Sequence, residues 1–183
     1  DLHLSIRRQR QMCIRDRYYS LEKSELDSGI RNDSLFLGIK FGMTSSEFYS
    51  HCWDLNKRKL VSQCPSNNSV RYLIPTKSIG QNIEMLFYPV FNKDTVYEVN
   101  STYSYTAWAP WNDGTDSEYL IKEVENILSD WYDTDFIPVK NPKSDDFLYV
   151  TVEGNRRITL TEVSEREVRA RFTDLLTEKK IKK

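Results

Sequence analysis

The apolar positions of the chain fall into alternating and helical runs that outline its elements before any chemistry is considered. Leu35, Leu37, Ile39 and Phe41 alternate with Phe36, Gly38 and Lys40, the two-residue period of a half-buried strand. The run passes through Gly42 into a helix whose start is doubly specified. Thr44 is the N-cap with Glu47 in the capping-box position, and Met43 and Phe48 stand at N′ and N4 of a hydrophobic staple. Phe48, Cys52 and Leu55 share one face of this helix, which runs from Ser45 to about Lys57 and ends in basic residues that suit its macrodipole. A turn from Cys64 to Asn68 leads to a strand over Ser69 to Ile74, stopped by Pro75. Ile83 to Phe91 is apolar on both faces, as in a strand covered on both sides. Asn92, Lys93 and Asp94 then turn the chain into a strand over Thr95 to Thr106.

Thr115 with Glu118 repeats the capping box and opens a second helix, whose buried face carries Leu120, Val124, Ile127, Leu128 and Trp131. Phe147 to Val152 and Arg156 to Val163 form a hairpin around Glu153, Gly154 and Asn155, and a last strand covers Glu167 to Asp174. The expected fold is α+β, an antiparallel sheet of six to seven strands with two amphipathic helices on one face. TSSEFY at 44–49 aligns with TDSEYL at 115–120, which suggests a duplicated α-β-β-β unit. The expected organisation is a linker or disordered lead-in over residues 18–34, a single α+β domain over 35–176, and a frayed basic tail over 177–183.

Composition changes this picture at the N-terminus. Residues 1–17, DLHLSIRRQRQMCIRDR, form a basic arm of the kind that ordinarily marks nucleic-acid or anionic-membrane contact. The run Arg7 to Asp16 instead resembles, codon by codon, the translation of a transposase-type sequencing adapter. Asp1, Leu2 and His3 match its flow-cell primer, and Leu4, Ser5 and Ile6 fit a sample index. The resemblance implies an adapter-derived, non-native segment attached to a bacterial gene fragment, so its basic residues carry no functional reading. Setting it aside lowers Lys+Arg from 26 to 21 and Asp+Glu from 27 to 25, a net charge of −4. It also leaves His51 as the one histidine and Cys52 and Cys64 as the two cysteines. No stretch approaches the ~18 to 20 apolar residues of a membrane span.

Candidate chemistry is sparse. His51 and Cys52 are neighbours on a helix and point about 100° apart, which disfavours a base–nucleophile pair. No CxxC, HxxxH or HExxH spacing, no GxGxxG and no GxxxxGK[ST] occurs, so no metal site and no cofactor is expected. The acidic groups Asp113, Asp116 and Glu118, and Asp130, Asp133 and Asp135, lack EF-hand spacing and flank a helix. Two groups offer binding chemistry. Tyr97, Tyr103, Tyr105, Trp108 and Trp111 form an aromatic stripe running into a proline-containing loop, the candidate ligand-binding group for a sugar, peptide or protein surface, with core packing as its competing account. Arg157, Arg169 and Arg171 share one strand face, but the interspersed Glu162, Glu165 and Glu167 point to a salt-bridged surface rather than nucleic-acid binding. Cys52 and Cys64 are the candidate disulfide pair in an oxidising compartment.

FLGIKFGMTSSEF at 36–48 resembles the starts of small proteins of gut-type Bacteroidota. Within it, Gly42-Met43-Thr44-x-x-Glu47-Phe48 is similar to the helix start of outer-membrane assembly lipoproteins and β-lactamase-inhibitor-like domains. What that resemblance implies is a non-catalytic envelope or interaction domain, with no site residues carried over. The leading expectation is a non-enzymatic binding or accessory protein, exported to the bacterial envelope, with a protein or small-molecule partner and no nucleic acid. A cytosolic chaperone- or immunity-like interaction domain is the alternative, and an enzyme built on carboxylates the third.

Overall fold

Three two-residue hairpin turns and three N-capped helices order much of the chain, and the computed structural model describes residues 16–64, 68–76, 81–109, 111, 114–141 and 147–182. A helix over residues 16–27 (α1) precedes α2 (Ser45–Lys57), which is followed by β1 (Val61–Gln63), β2 (Val70–Pro75), β3 (Asn82–Asn92) and β4 (Thr95–Tyr105). Then come α3 (Ser117–Tyr132), β5 (Ile137–Lys140), β6 (Phe147–Glu153), β7 (Arg156–Ser164), β8 (Glu167–Asp174) and α4 (Leu175–Ile181). The strands make one antiparallel sheet in the order β1-β2-β3-β4-β8-β7-β6-β5. The fold is α+β, as the periodicity predicts. β1 and β5 were not expected, because runs as short as Val-Ser-Gln and Ile-Pro-Val-Lys show no usable alternation.

The order of elements is a helix and a four-strand meander, twice over, with β4 and β8 meeting antiparallel at the centre. The capping geometry strengthens the correspondence and shifts it by one residue from the sequence alignment. Thr44 caps α2 with both capping-box bonds in place, its hydroxyl accepting from Glu47 N at 3.2 Å and its amide donating to Glu47 Oε2 at 2.8 Å. α3 is capped by Asp116, not Thr115, which is buried. Asp is as good an N-cap as Thr, and its carboxylate accepts from Tyr119 N at 3.2 Å. With caps superposed, Ser45 corresponds to Ser117. Each fastens its helix to the neighbouring hairpin: Ser45 donates from its amide and hydroxyl to Asp94, and Ser117 from its amide to Glu165 O and from its hydroxyl to Glu162.

The alternation at Leu35 to Phe41 is not a strand. Leu35 N donates to Ile39 O and Ile39 N to Phe36 O, closing a loop through the left-handed residues Leu37 (φ 53) and Gly38 (φ 81). The loop still buries Leu35, Phe36, Ile39 and Phe41, so the apolar residues report burial and not extension. Phe36 sits over the central seam, its ring 5.0 Å from Phe87 of β3 and 5.3 Å from Phe172 of β8. His51 holds the loop from α2. Its Nε2 lies 2.7 Å from Leu37 O, and because a carbonyl only accepts, the proton is on Nε2.

Residues 18–34, expected as a linker, begin as part of α1 and are held by side chains. Tyr18, Leu21 and Leu26 cover Val150 and Val152 of β6 and Leu175 of α4, on the sheet face opposite α2 and α3. Residues 177–181 of the expected tail are helical for the same reason, as part of α4, with Asp174 as N-cap and Leu175 fully buried. Of the adapter-like segment only residues 16 and 17 lie among the described residues, in the first turn of α1.

Two polar clusters fix this second layer. The side chain of buried Asn155, in the β6–β7 turn, accepts from Asn32 N at 2.6 Å and donates to Asp33 and Asp174, each at 3.0 Å. Arg156 donates to Ser34 O at 2.6 Å, pairs with Glu153 and lies over the Tyr132 ring. Arg157 makes a two-pronged contact with Glu178 of α4 at 3.1 and 3.0 Å and approaches the hydroxyl of Tyr18, which donates to Glu22. Burial and then the Glu22 hydrogen bond push the Tyr18 phenol up to about 12. Burial works to raise the Glu178 carboxyl, but Lys182 and Arg157 outweigh it and hold the group below its ordinary value.

Gly154 closes the hairpin at φ +55 with Ile30 O lying 2.5 Å from where a Cβ would stand. Gly154→Ala therefore forces both a left-handed alanine and a backbone clash, and chemical denaturation should show a loss of more than about 2 kcal/mol. Because the Glu178 carboxyl is depressed in the folded state, its stabilisation is complete above the ordinary glutamate pKa of about 4.3 and is lost as pH falls through the lower folded value. Glu178→Gln should cost about 1–3 kcal/mol in urea unfolding at neutral pH and progressively less as the pH falls through the depressed folded value, where the wild type loses the same contribution.

Candidate functional site

Of the two accounts of the aromatic stripe, ligand binding and core packing, packing describes Tyr103 and Tyr105. Tyr103 and Tyr105 point with Val99 toward α3; Tyr103 is fully buried, and Tyr105 donates to Glu123 of α3 at 2.8 Å. Burial raises both phenols. Tyr97 lies where the β3–β4 register slips after Val90, so it leaves the stripe and is half-buried. Trp108 is half-buried against the core with the Arg166 guanidinium 5.8 Å from its ring centroid. Trp111 is 82% exposed, between positions outside the described residues. The five residues do not converge on one surface.

A different aromatic group does converge. Tyr49 and Trp53 stand one turn apart on the flank of α2 beside its buried Phe48–Cys52–Leu55 face, and both are at least half exposed. Tyr88 of β3 reaches the same place, its hydroxyl 3.0 Å from that of Tyr49. Together they border a groove of about 500 Å³ between α2 and the β1–β2 end of the sheet. Its apolar lining comes from Phe48, Cys52, Val61 and Val70, and its polar lining from Asn56, Ser62, Gln63, Asn68 and Ser69. Among the described residues, no charged side chain lines it. The Tyr88 hydrogen bond, and then burial, raise the Tyr49 phenol, so its hydroxyl stays protonated and neutral at physiological pH. Tyr49 and Trp53 were legible as an i, i+4 aromatic pair outside the helix's apolar stripe; the contribution of Tyr88 was not, because it depends on where β2 begins, with Val70 opposite Phe87.

Cys52 is part of the lining, and burial pushes its thiol up to about 11. His51 is turned away to Leu37, so the adjacent pair does not form a nucleophile and base. Cys52 and Cys64 are buried thiols, not halves of a disulfide. Among the described residues, no three His, Cys, Asp or Glu side chains are grouped as metal ligands, and Asp113 lies outside them.

Two other surfaces compete less well. A hollow of about 580 Å³ lies between α1 and the β5–β6 side, but its lining includes Arg17 of the adapter-like segment, and its Glu25 and Glu153 are engaged by Gly154 N and Arg156. The uncovered part of the sheet face carries mutually paired charges: Arg71 with Glu84, and Arg171 3.9 Å from Glu98, which also accepts from Asn100 and Thr173. Arg157 shares that face by register but is buried under α1 and α4, so the three-arginine row is interrupted.

At neutral pH the raised Cys52 thiol should alkylate with iodoacetamide far more slowly than an exposed thiol of pKa about 8.5. Mass spectrometry of the native protein over a pH series checks this, with the modification rate at Cys52 still rising above pH 9.

Comparisons with protein-family models, with curated proteins and with solved structures return no match.

Proposed function

We propose that the chain is a non-enzymatic binding or accessory protein of the bacterial envelope, and that it recognises an uncharged ligand in the groove between α2 and the β1–β2 hairpin. The observation that carries the reading is the convergence of Tyr49, Trp53 and Tyr88 on one groove that, among the described residues, has no charged lining side chain. Exposed rings beside a partly apolar cleft gain more from covering by a ligand than from solvent. The groove also lies within the range of about 300 to 1,000 Å³ typical of small-molecule sites. The envelope placement rests on the resemblance of the Gly42 to Phe48 turn alone. The reading uses nothing from residues 1–17, which we take to be adapter-encoded.

A fragment screen followed by amide and indole NMR tests this. Uncharged hydroxylated or aromatic fragments should shift the Trp53 indole N–H together with the backbone amides of Gln63 and Val70, and Trp53→Ala should weaken such fragments by about tenfold. Hits that map only to the open sheet face or to Trp111 would contradict the assignment of the groove.

A further inference from the structure

Resting on that groove, we propose that its ligand is a neutral saccharide, held with a pyranose ring against Trp53 and its hydroxyls on the amide and hydroxyl groups of the groove wall. A sugar ring offers two chemistries at once: a C–H face that stacks on an aromatic ring, and a rim of hydroxyls that both donate and accept. The groove supplies the complement of each. Trp53 is 65% exposed and presents a flat apolar surface at the mouth, with Tyr49 beside it one helical turn away. Gln63 and Asn68 carry amides that both donate and accept, as a vicinal pair of hydroxyls requires, and Ser62 adds a rotatable hydroxyl. The lack of a lining charge matters equally. An acidic sugar or a phosphorylated ligand would bring a charge into a cleft where, among the described residues, no lining cation meets it.

The sheet edge argues against the other occupant of such a groove, an extended peptide. β1 ends the sheet, where a peptide strand would add. Cys64 N donates to Ser69 O at 3.0 Å, which makes that pair hydrogen-bonded. By antiparallel alternation Ser62–Arg71 is then the next bonded pair, and the backbone groups of Val61 and Gln63 face outward. The outward Val61 carbonyl is already taken by the side chain of Asn56 at 3.2 Å. That leaves the Val61 N–H and the backbone groups of Gln63 on a β1 that spans three residues, too little ladder to hold a strand.

The test is a glycan array carrying neutral glucose-, galactose-, mannose- and N-acetylglucosamine-terminated oligosaccharides beside sialylated and sulfated ones, with a proline-rich peptide set as comparison. Retention of one or more neutral glycans is expected. Trp53→Ala should lower the affinity by about tenfold or more, and Tyr88→Phe, which keeps the ring, by less. Trp53 is a solvent-exposed side chain, and an unchanged amide NMR spectrum outside the groove verifies that the variant is folded. No neutral glycan retained, only acidic glycans retained, or retention indifferent to Trp53→Ala each overturns the saccharide assignment. If the peptides bind in its place with the same sensitivity to Trp53→Ala, the groove stands as a binding site and the saccharide is wrong. If neither class nor any small fragment touches the groove, the broader reading fails with it.

Discussion

The side-chain amide of Asn155 is the interaction on which the second layer of the molecule depends. It stands fully buried in a two-residue turn and bridges segments that sequence places far apart: the Asn32–Asp33 stretch after α1, and Asp174, which caps α4. An amide suits this role because it donates and accepts at one point, satisfying two carboxylates and a backbone N–H together. Losing the bridge strips a donor from buried Asp174 and an acceptor from Asn32 N, each at a cost of about 1–3 kcal/mol where water does not replace it, so the bridge holds a whole layer and not just a turn. Gly154 beside it lets Ile30 approach closely enough for the bonds to form.

The two halves share their helix caps and their meanders, and the groove arises where they differ. With Thr44 and Asp116 superposed, Tyr49, Trp53 and Asn56 of α2 correspond to Ile121, Glu125 and Leu128 of α3. Ile121 and Leu128 are buried, so α3 lies down on β4, β7 and β8 along that flank. On α2 the same flank keeps its aromatic and amide side chains outside the core, which leaves a cleft against β1 and β2. Phe36 and its loop fill the central space between the helices, so the cleft stays at the periphery.

Much of the architecture was legible because it is local. The box at Thr44 and Glu47, the turns at Asn92 to Asp94 and at Gly154, and the strand over Glu167 to Asp174 all follow from nearest neighbours. The misreadings have a common cause in contacts distant in sequence. Alternation at Leu35 to Phe41 reflects burial in a loop tied down by His51, and the polar Tyr18 to Ser34 stretch is ordered by partners around Asn155 and Arg157. The aromatic stripe of β4 was visible, and core packing was one of its two accounts, but parity alone did not decide which residues α3 covers. The groove needed three-dimensional placement of Tyr88 next to Tyr49, which no spacing in the chain reveals.

The claim that one buried amide secures the second layer is tested most directly by native-state hydrogen exchange on Asn155→Ala. Amides over residues 16–34 and in α4 should lose protection together, and by more than those of β3 and β4, which lie outside that layer. If residues 16–34 keep wild-type protection in the variant, or if every element loses protection equally, Asn155 is not the bridge described here.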